Sequence, residues 1–145
     1  MEKQNYSILI NAPKEKIWRV LWDDNTYRKW TNVFYEGSYA VSDWKEGSTA
    51  LFLGPNKDGM YSIIDKCIEN ELMSIKHIGM VKNGIEMPPD EESKKWSGSE
   101  EIYKLAEKDG VTELNVDVDV DSEFAGFFDK TFPKALDKIK ELSES

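Results

Sequence analysis

The sequence predicts an α+β domain in which a curved antiparallel sheet of about six to seven strands wraps around one long C-terminal helix. Three observations carry that expectation. Tyr6, Ile8 and Ile10 alternate with polar neighbours, as a half-buried strand requires. Leu114, Val116, Val118 and Val120 alternate with Asn115, Asp117, Asp119 and Asp121, giving one buried face and one wet face. Phe124, Phe127, Phe128, Phe132, Leu136 and Ile139 recur at spacings of three and four, one apolar stripe for one sheet face. The strands cluster together instead of alternating one for one with helices, which argues against a parallel α/β arrangement.

Each element follows in chain order. Asn11-Ala12-Pro13 ends the first strand, and Pro13 suits the first turn of a helix, where its missing N–H has no helical partner. Ile17, Val20 and Leu21 continue at helical spacing. Asp23-Asp24-Asn25 supplies a turn and a cap for a second short helix over Thr26–Trp30. Strands are expected over Gly37–Ser42 and Ser48–Leu53, with Asp43–Gly47 as the turn between them. Gly54–Gly59 reads as a hairpin loop, followed by strands over Met60–Ile68 and Leu72–Val81 joined through Glu69-Asn70-Glu71. Lys82–Lys95 is polar, carries Pro88-Pro89 and reads as a loop. Trp96–Glu107 and Val111–Asp121 form a hairpin across Lys108-Asp109-Gly110. The terminal helix is expected over Glu123–Leu142. Pro133 inside it removes the bond to the carbonyl of Asp129, so it predicts either a kink or a helix that starts only near Thr131.

Composition narrows the function classes. With 145 residues, 39% hydrophobic and 32% charged, residues 1–145 are expected to form one domain with its own core. Nineteen Lys and Arg against 28 Asp and Glu give a net charge of −9, which repels phosphate backbones and argues against nucleic acid as a partner. No stretch approaches the roughly 18 apolar residues of a membrane span. The N-terminal MEKQNYSILI has no basic region leading into a long apolar run, and Cys67 is the single cysteine. The expectation is a cytoplasmic protein without an intrachain disulfide.

INAPKEKIWRVLWD, Tyr27–Trp30, Trp44-Lys45-Glu46-Gly47 and the closing aromatic helix together resemble the helix-grip superfamily. That superfamily includes START lipid-transfer domains, birch-pollen allergen proteins, polyketide cyclases and the carboxy-terminal domain of the Hsp90 ATPase activator. Ile10-Asn11-Ala12-Pro13 leading to Trp18, and Met73–Gly79, are most similar to the bacterial branch related to the activator. The resemblance implies a sheet gripping the helix with a cavity between them. It also implies that Trp30, Phe34 and Tyr35 lie near the cavity mouth. It specifies function poorly, because the superfamily spans carriers, receptors, cyclases and chaperone cofactors.

The chemistry-bearing residues are few. His77, the only histidine, would need an orienting partner and a cavity-facing side chain to act as a base; otherwise it is a packed strand residue. Cys67 lies several rungs from His77 across the expected strand pair, so a Cys–His dyad is not expected. No HxH, HExxH or CxxC pattern exists, and no metal or cofactor is expected. Asp117, Asp119 and Asp121 lack the glycine and spacing of a calcium loop and read as a solvated strand face. If Tyr103 and Leu105 point at the helix, parity sends Ser99 and Glu101 the same way; Ile102 competes for that face, so the pattern leaves the parity open.

The expected ligand-facing set is therefore Trp30, Phe34, His77, Ser99, Glu101, Tyr103, Phe124, Phe127 and Phe128. The leading functional expectation is a binding module for an apolar small molecule or lipid. One alternative is a protein-interaction domain resembling the Hsp90 activator. Another is a cyclase-like or hydrolase-like enzyme using the cavity, for which one histidine and one cysteine offer thin material.

Overall fold

The computed structural model describes residues 1–145. Strand β1 spans Glu2–Ile10, helix α1 Lys14–Trp22 and helix α2 Asp24–Thr31. Pro13 stands at the cap and not in the first turn, its backbone still extended at φ −70 and ψ 152, and its carbonyl accepts from the N–H of Ile17 at 3.3 Å. Helix α1 buries Ile17, Val20, Leu21 and Trp22, and α2 buries Tyr27, Trp30 and Thr31.

The strands that follow are β2 (Tyr39–Val41), β3 (Thr49–Leu53), β4 (Gly59–Ile68), β5 (Leu72–Lys82), β6 (Ile85–Glu86), β7 (Glu100–Lys108) and β8 (Val111–Val120). They form an antiparallel sheet of eight strands in the order β1-β8-β7-β5-β4-β3-β2, with β6 paired to β5 off that path. The segment expected to be a loop, Lys82–Lys95, thus contains a two-residue strand and also the single-turn helix α3 (Glu91–Lys94). A reciprocal cap builds that turn: the Asp90 side chain accepts from the N–H of Ser93 at 2.7 Å, and the Asp90 N–H donates to Ser93 Oγ at 3.0 Å.

Strand β7 begins at Glu100, four residues later than expected, because Gly98 turns the chain through the left-handed region at φ 90. The parity left open by the sequence is resolved by burial. Tyr103 and Leu105 are buried on one face, and Ile102 alternates away from them.

The terminal helix, α4, runs unbroken over Ala125–Glu144 and passes through Pro133. The alternative of a start near Thr131 is therefore wrong. Pro133 and Asp129 are both exposed, on the side of the helix where water can reach a carbonyl that loses its helical partner. A short 3-10 turn, Ser122–Phe124, precedes α4, with the Asp121 side chain accepting from the N–H of Glu123 at 3.2 Å. Helix α4 lays Phe132, Ala135, Leu136 and Ile139 onto the core that Ile10, Leu114, Val116 and Tyr103 form from the sheet side.

Asp117 and Asp119 are held by protein partners. Asp117 accepts from Asn5 Nδ2 at 2.7 Å, and Asp119 accepts from the N–H of Glu100 at 2.9 Å while facing Lys3 at 3.4 Å. No group of three or more His, Cys, Asp or Glu gathers as a metal site, and no helix is long and apolar enough to cross a membrane.

One glycine limits the β3–β4 hairpin. At Gly59 a Cβ would lie 1.8 Å from the carbonyl oxygen of Phe52, a backbone atom that cannot step aside. We expect Gly59→Ala to lower the stability of the domain by about 1–3 kcal/mol through forced backbone displacement. Urea denaturation would measure this, and an unchanged midpoint would contradict the close packing of the hairpin.

Candidate functional site

Three sheet strands bring the polar centre together. Ser62 on β4 lies directly opposite His77 on β5, and β7 pairs with β5 so that Ile75 opposes Glu101. Glu101 is therefore the diagonal neighbour of His77, a separation that long side chains span on a sheet face. Ser62 Oγ lies 2.7 Å from His77 Nδ1, and His77 Nε2 lies 3.2 Å from Glu101 Oε1. The Tyr103 hydroxyl, two residues along β7 on the same face, donates to Glu101 Oε2.

A carboxylate only accepts, so the proton of this pair sits on His77 Nε2 and points at Glu101. The backbone holds the imidazole from the other side: the His77 N–H donates to the carbonyl of Ser99 at 2.9 Å, and the His77 carbonyl accepts from Gly98 at 2.7 Å.

The electrostatics follow from this geometry. Burial pushes the Glu101 carboxyl up, but the hydrogen bond and the charge of His77, with the Tyr103 hydroxyl, outweigh it and hold the group below the usual glutamate range. Burial and the adjacent Glu101 charge raise the Tyr103 phenol well above the usual tyrosine value. Tyr27, buried and close to the same carboxylate, is raised for the same two reasons. Both phenols stay neutral, and that of Tyr103 acts as a hydrogen-bond donor.

Above this row lies a pocket of about 560 Å³. Its walls come from α2 and the loop after it, the β3–β4 hairpin, β5, β7 and the first turns of α4. Trp30, Phe34, His77, Glu101, Tyr103, Phe127 and Phe128 line it, as do Tyr27, Phe52, Met60, Met80 and Phe132. The rings interlock at the spacings of edge-to-face pairs. Phe34 lies 4.8 Å from Phe132 and 6.1 Å from Phe128, and Tyr27 lies 5.3 Å from Trp30. Trp30 Nε1 is already committed to the carbonyl of Leu21 at 3.2 Å, so that ring offers the pocket an apolar surface.

Two residues of the expected set lie elsewhere. Ser99 precedes β7 and does not line the pocket; its contribution is the carbonyl that fixes His77. Phe124 ends the 3-10 turn, out of phase with α4, and its side chain is 53% exposed and away from the lining.

Sequence reasoning passed over Ser62 and Tyr27. Tyr27 had a signal, since it sits three residues before Trp30 on the same helical face. Ser62 had a weaker one, the inward parity it shares with Ile64, and its partner depends on irregular pairing. The β4–β5 register shifts twice, between Tyr61 and Ser62 and between Ile64 and Lys66.

Ser62, His77 and Glu101 resemble a nucleophile relay in composition. Ser62, however, is fully buried and does not line the pocket, so its hydroxyl orients the imidazole and does not meet a ligand. Cys67 faces Met73, and burial with nearby Glu46 and Glu69 pushes its thiol up, away from the thiolate form.

Comparison with solved structures decides the architecture. The Aha1 dimer from Colwellia psychrerythraea superposes with a TM-score of 0.75 at 22% identity, covering 99% of this chain and 97% of that one. The chain has the helix-grip fold. Protein MLL2253 from Mesorhizobium loti matches at a TM-score of 0.75 and 14% identity over 97% of this chain and 96% of that one. CalU16 from Micromonospora echinospora matches at 0.66 and 18% over 97% and 74%. At such identities the likeness establishes the fold alone. No protein-family model and no curated protein matches the sequence.

The site predicts a pH dependence with a definite sign. A carboxyl held below its unfolded value contributes stability that is present at neutral pH and is lost as pH falls through the folded value. The stability advantage of the native protein over Glu101→Gln should therefore shrink on acidification through the carboxylate range. Paired urea titrations at neutral and acidic pH measure it, and a constant difference would mean that Glu101 is not held ionised by His77.

Proposed function

We propose that the chain is a small-molecule binding module whose ligand enters the aromatic pocket and is oriented by Glu101. The observation that carries this reading is the Glu101 carboxylate set in a mostly aromatic and apolar lining, with His77 and Tyr103 fixing both of its oxygens. Pockets of roughly 300–1,000 Å³ with apolar walls and a few convergent polar groups are the usual form of small-ligand sites. In this role Trp30, Phe34, Phe127 and Phe128 cover the apolar body of the ligand. Glu101, Tyr103 and His77 form the polar end.

Exposure supports a second reading. Tyr35, Phe124 and Phe127 are 63%, 53% and 47% exposed, and Tyr35 and Phe127 stand at the pocket wall. Apolar rings left in solvent favour protein docking at this rim, as the resemblance to the Hsp90 activator implies.

One experiment separates the two readings. Amide shifts would be recorded while the protein is titrated with lipids, sterols, flavonoids and polyketides. Shifts clustered on Trp30, Glu101, Tyr103 and Phe127–Phe132 are expected. For any compound that produces them, Phe128→Ala should weaken binding by about tenfold, the loss of a partly buried ring. Phe124→Ala should leave that binding unchanged. A library that moves no pocket resonance would overturn the carrier reading and leave docking at the rim.

A further inference from the structure

The polar inventory of the pocket says which head group it accepts, given the small-molecule reading above. Most of its hydrogen-bonding side chains are already committed. Trp30 Nε1 donates to Leu21, the Thr31 hydroxyl to the carbonyl of Tyr27 at 2.6 Å, and the Ser38 hydroxyl to the carbonyl of Tyr35 at 2.6 Å. Both ring nitrogens of His77 are used, by Ser62 and Glu101. Asn56 and Asp58 bond each other at 3.0 Å. Uncommitted capacity remains on the hydroxyls of Tyr27, Tyr35 and Tyr39, which are neutral, and on one charged group, Glu101: a carboxylate offers about four lone-pair positions, of which His77 and Tyr103 take two. Its side chain keeps 25% exposure, and Glu101 lines the pocket, so the unused positions are accessible there.

Charge points the same way. The charged carboxylates of the lining are Glu101 and Asp58, and no lysine or arginine lines the pocket. Arg28 lies 5.0 Å over the ring of Tyr39, a lining residue, and is paired with Asp24 at 3.0 Å. A carboxylate or phosphate head would meet the like charge of Glu101 and no lysine or arginine, and both ring nitrogens of His77 are already taken, at a site where aromatic walls weaken screening. An ammonium would meet a carboxylate with free lone pairs and the faces of several rings, which attract cations.

We infer that the pocket takes an apolar molecule bearing a protonated amine, with the ammonium on Glu101 and the apolar body against Phe34, Phe52, Phe128 and Phe132. Fatty acids and other anionic amphiphiles are selected against by the same carboxylate.

The test holds the apolar body constant and varies the head. Naphthylethylamine, naphthylethanol and naphthylacetate are titrated into the protein by calorimetry at neutral pH. The amine should bind at least about tenfold more tightly than the alcohol, the size of a charge-assisted hydrogen bond, with the carboxylate weakest. Glu101→Gln should close the gap between amine and alcohol while alcohol binding persists, which also shows that the variant is folded. If the variant does not fold, the ranking on the native protein still decides.

Equal affinities, or a preference for the carboxylate, would overturn the head-group inference and leave the pocket reading standing. Failure of all three ligands would overturn it too. The pocket reading falls only if the broader library is silent as well.

Discussion

An ionised carboxylate facing aromatic walls must have its charge and lone pairs answered locally, and that constraint organises the interior. The desolvation cost of such a group is several kcal/mol unless donors compensate it. Glu101 is compensated from two strands at once, by His77 on β5 and Tyr103 on β7. The arrangement works only in one register, because a slip of β7 by one residue sends Glu101 to the opposite face and leaves His77 Nε2 unpaired. Ser62 then occupies the remaining nitrogen of His77, so β4 is tied to the same row. Three neighbouring strands are thereby fixed against each other by polar contacts at the point where the sheet faces the pocket.

The apolar structure closes around that row. Helix α4 contributes Phe128 and Phe132 to the pocket, and deeper along its length it turns to Ala135, Leu136 and Ile139 in the core. Tyr6 from β1 stacks on Phe132 at 4.7 Å and donates its hydroxyl to Asp129 at 2.7 Å, so one side chain joins the first strand to the last helix by both an aromatic contact and a hydrogen bond. Trp22 of α1 packs edge-on to Tyr103 at 5.1 Å and Trp30 lies 6.1 Å from the same ring. The phenol that holds Glu101 is therefore wedged by two tryptophans, and the aromatic packing that stabilises the fold also positions the polar centre.

The overall acidity and the local chemistry of the pocket are separate facts with compatible consequences. A net charge of −9 acts at long range and disfavours anionic partners over the whole surface. At contact distance, the lining carries no lysine or arginine, and Glu101 keeps lone-pair positions that His77 and Tyr103 do not use. Residues that suggested calcium or nucleophile chemistry have other work. Asp117 and Asp119 bind across strands, and Cys67 sits protonated beside acidic neighbours.

The sequence by itself determined the α+β class, the alternating strands that become β1 and β8, the aromatic stripe of α4 and the two short helices after the first strand. These depend on periodicity, which is a local property of the chain. It also marked most of the aromatic lining. It missed β6 and α3, which are too short to leave a period, and it could not choose between Ile102 and Tyr103 as the inward residue. It placed Ser99 and Phe124 in the pocket because parity and helical phase were extended into the turn that holds Gly98 and into a 3-10 turn, where neither period applies. Tertiary structure alone decided the meeting of Ser62, His77 and Glu101, residues 15 and 24 positions apart in the chain. Two irregularities in the β4–β5 pairing set that meeting, and they are fixed by packing across the whole sheet.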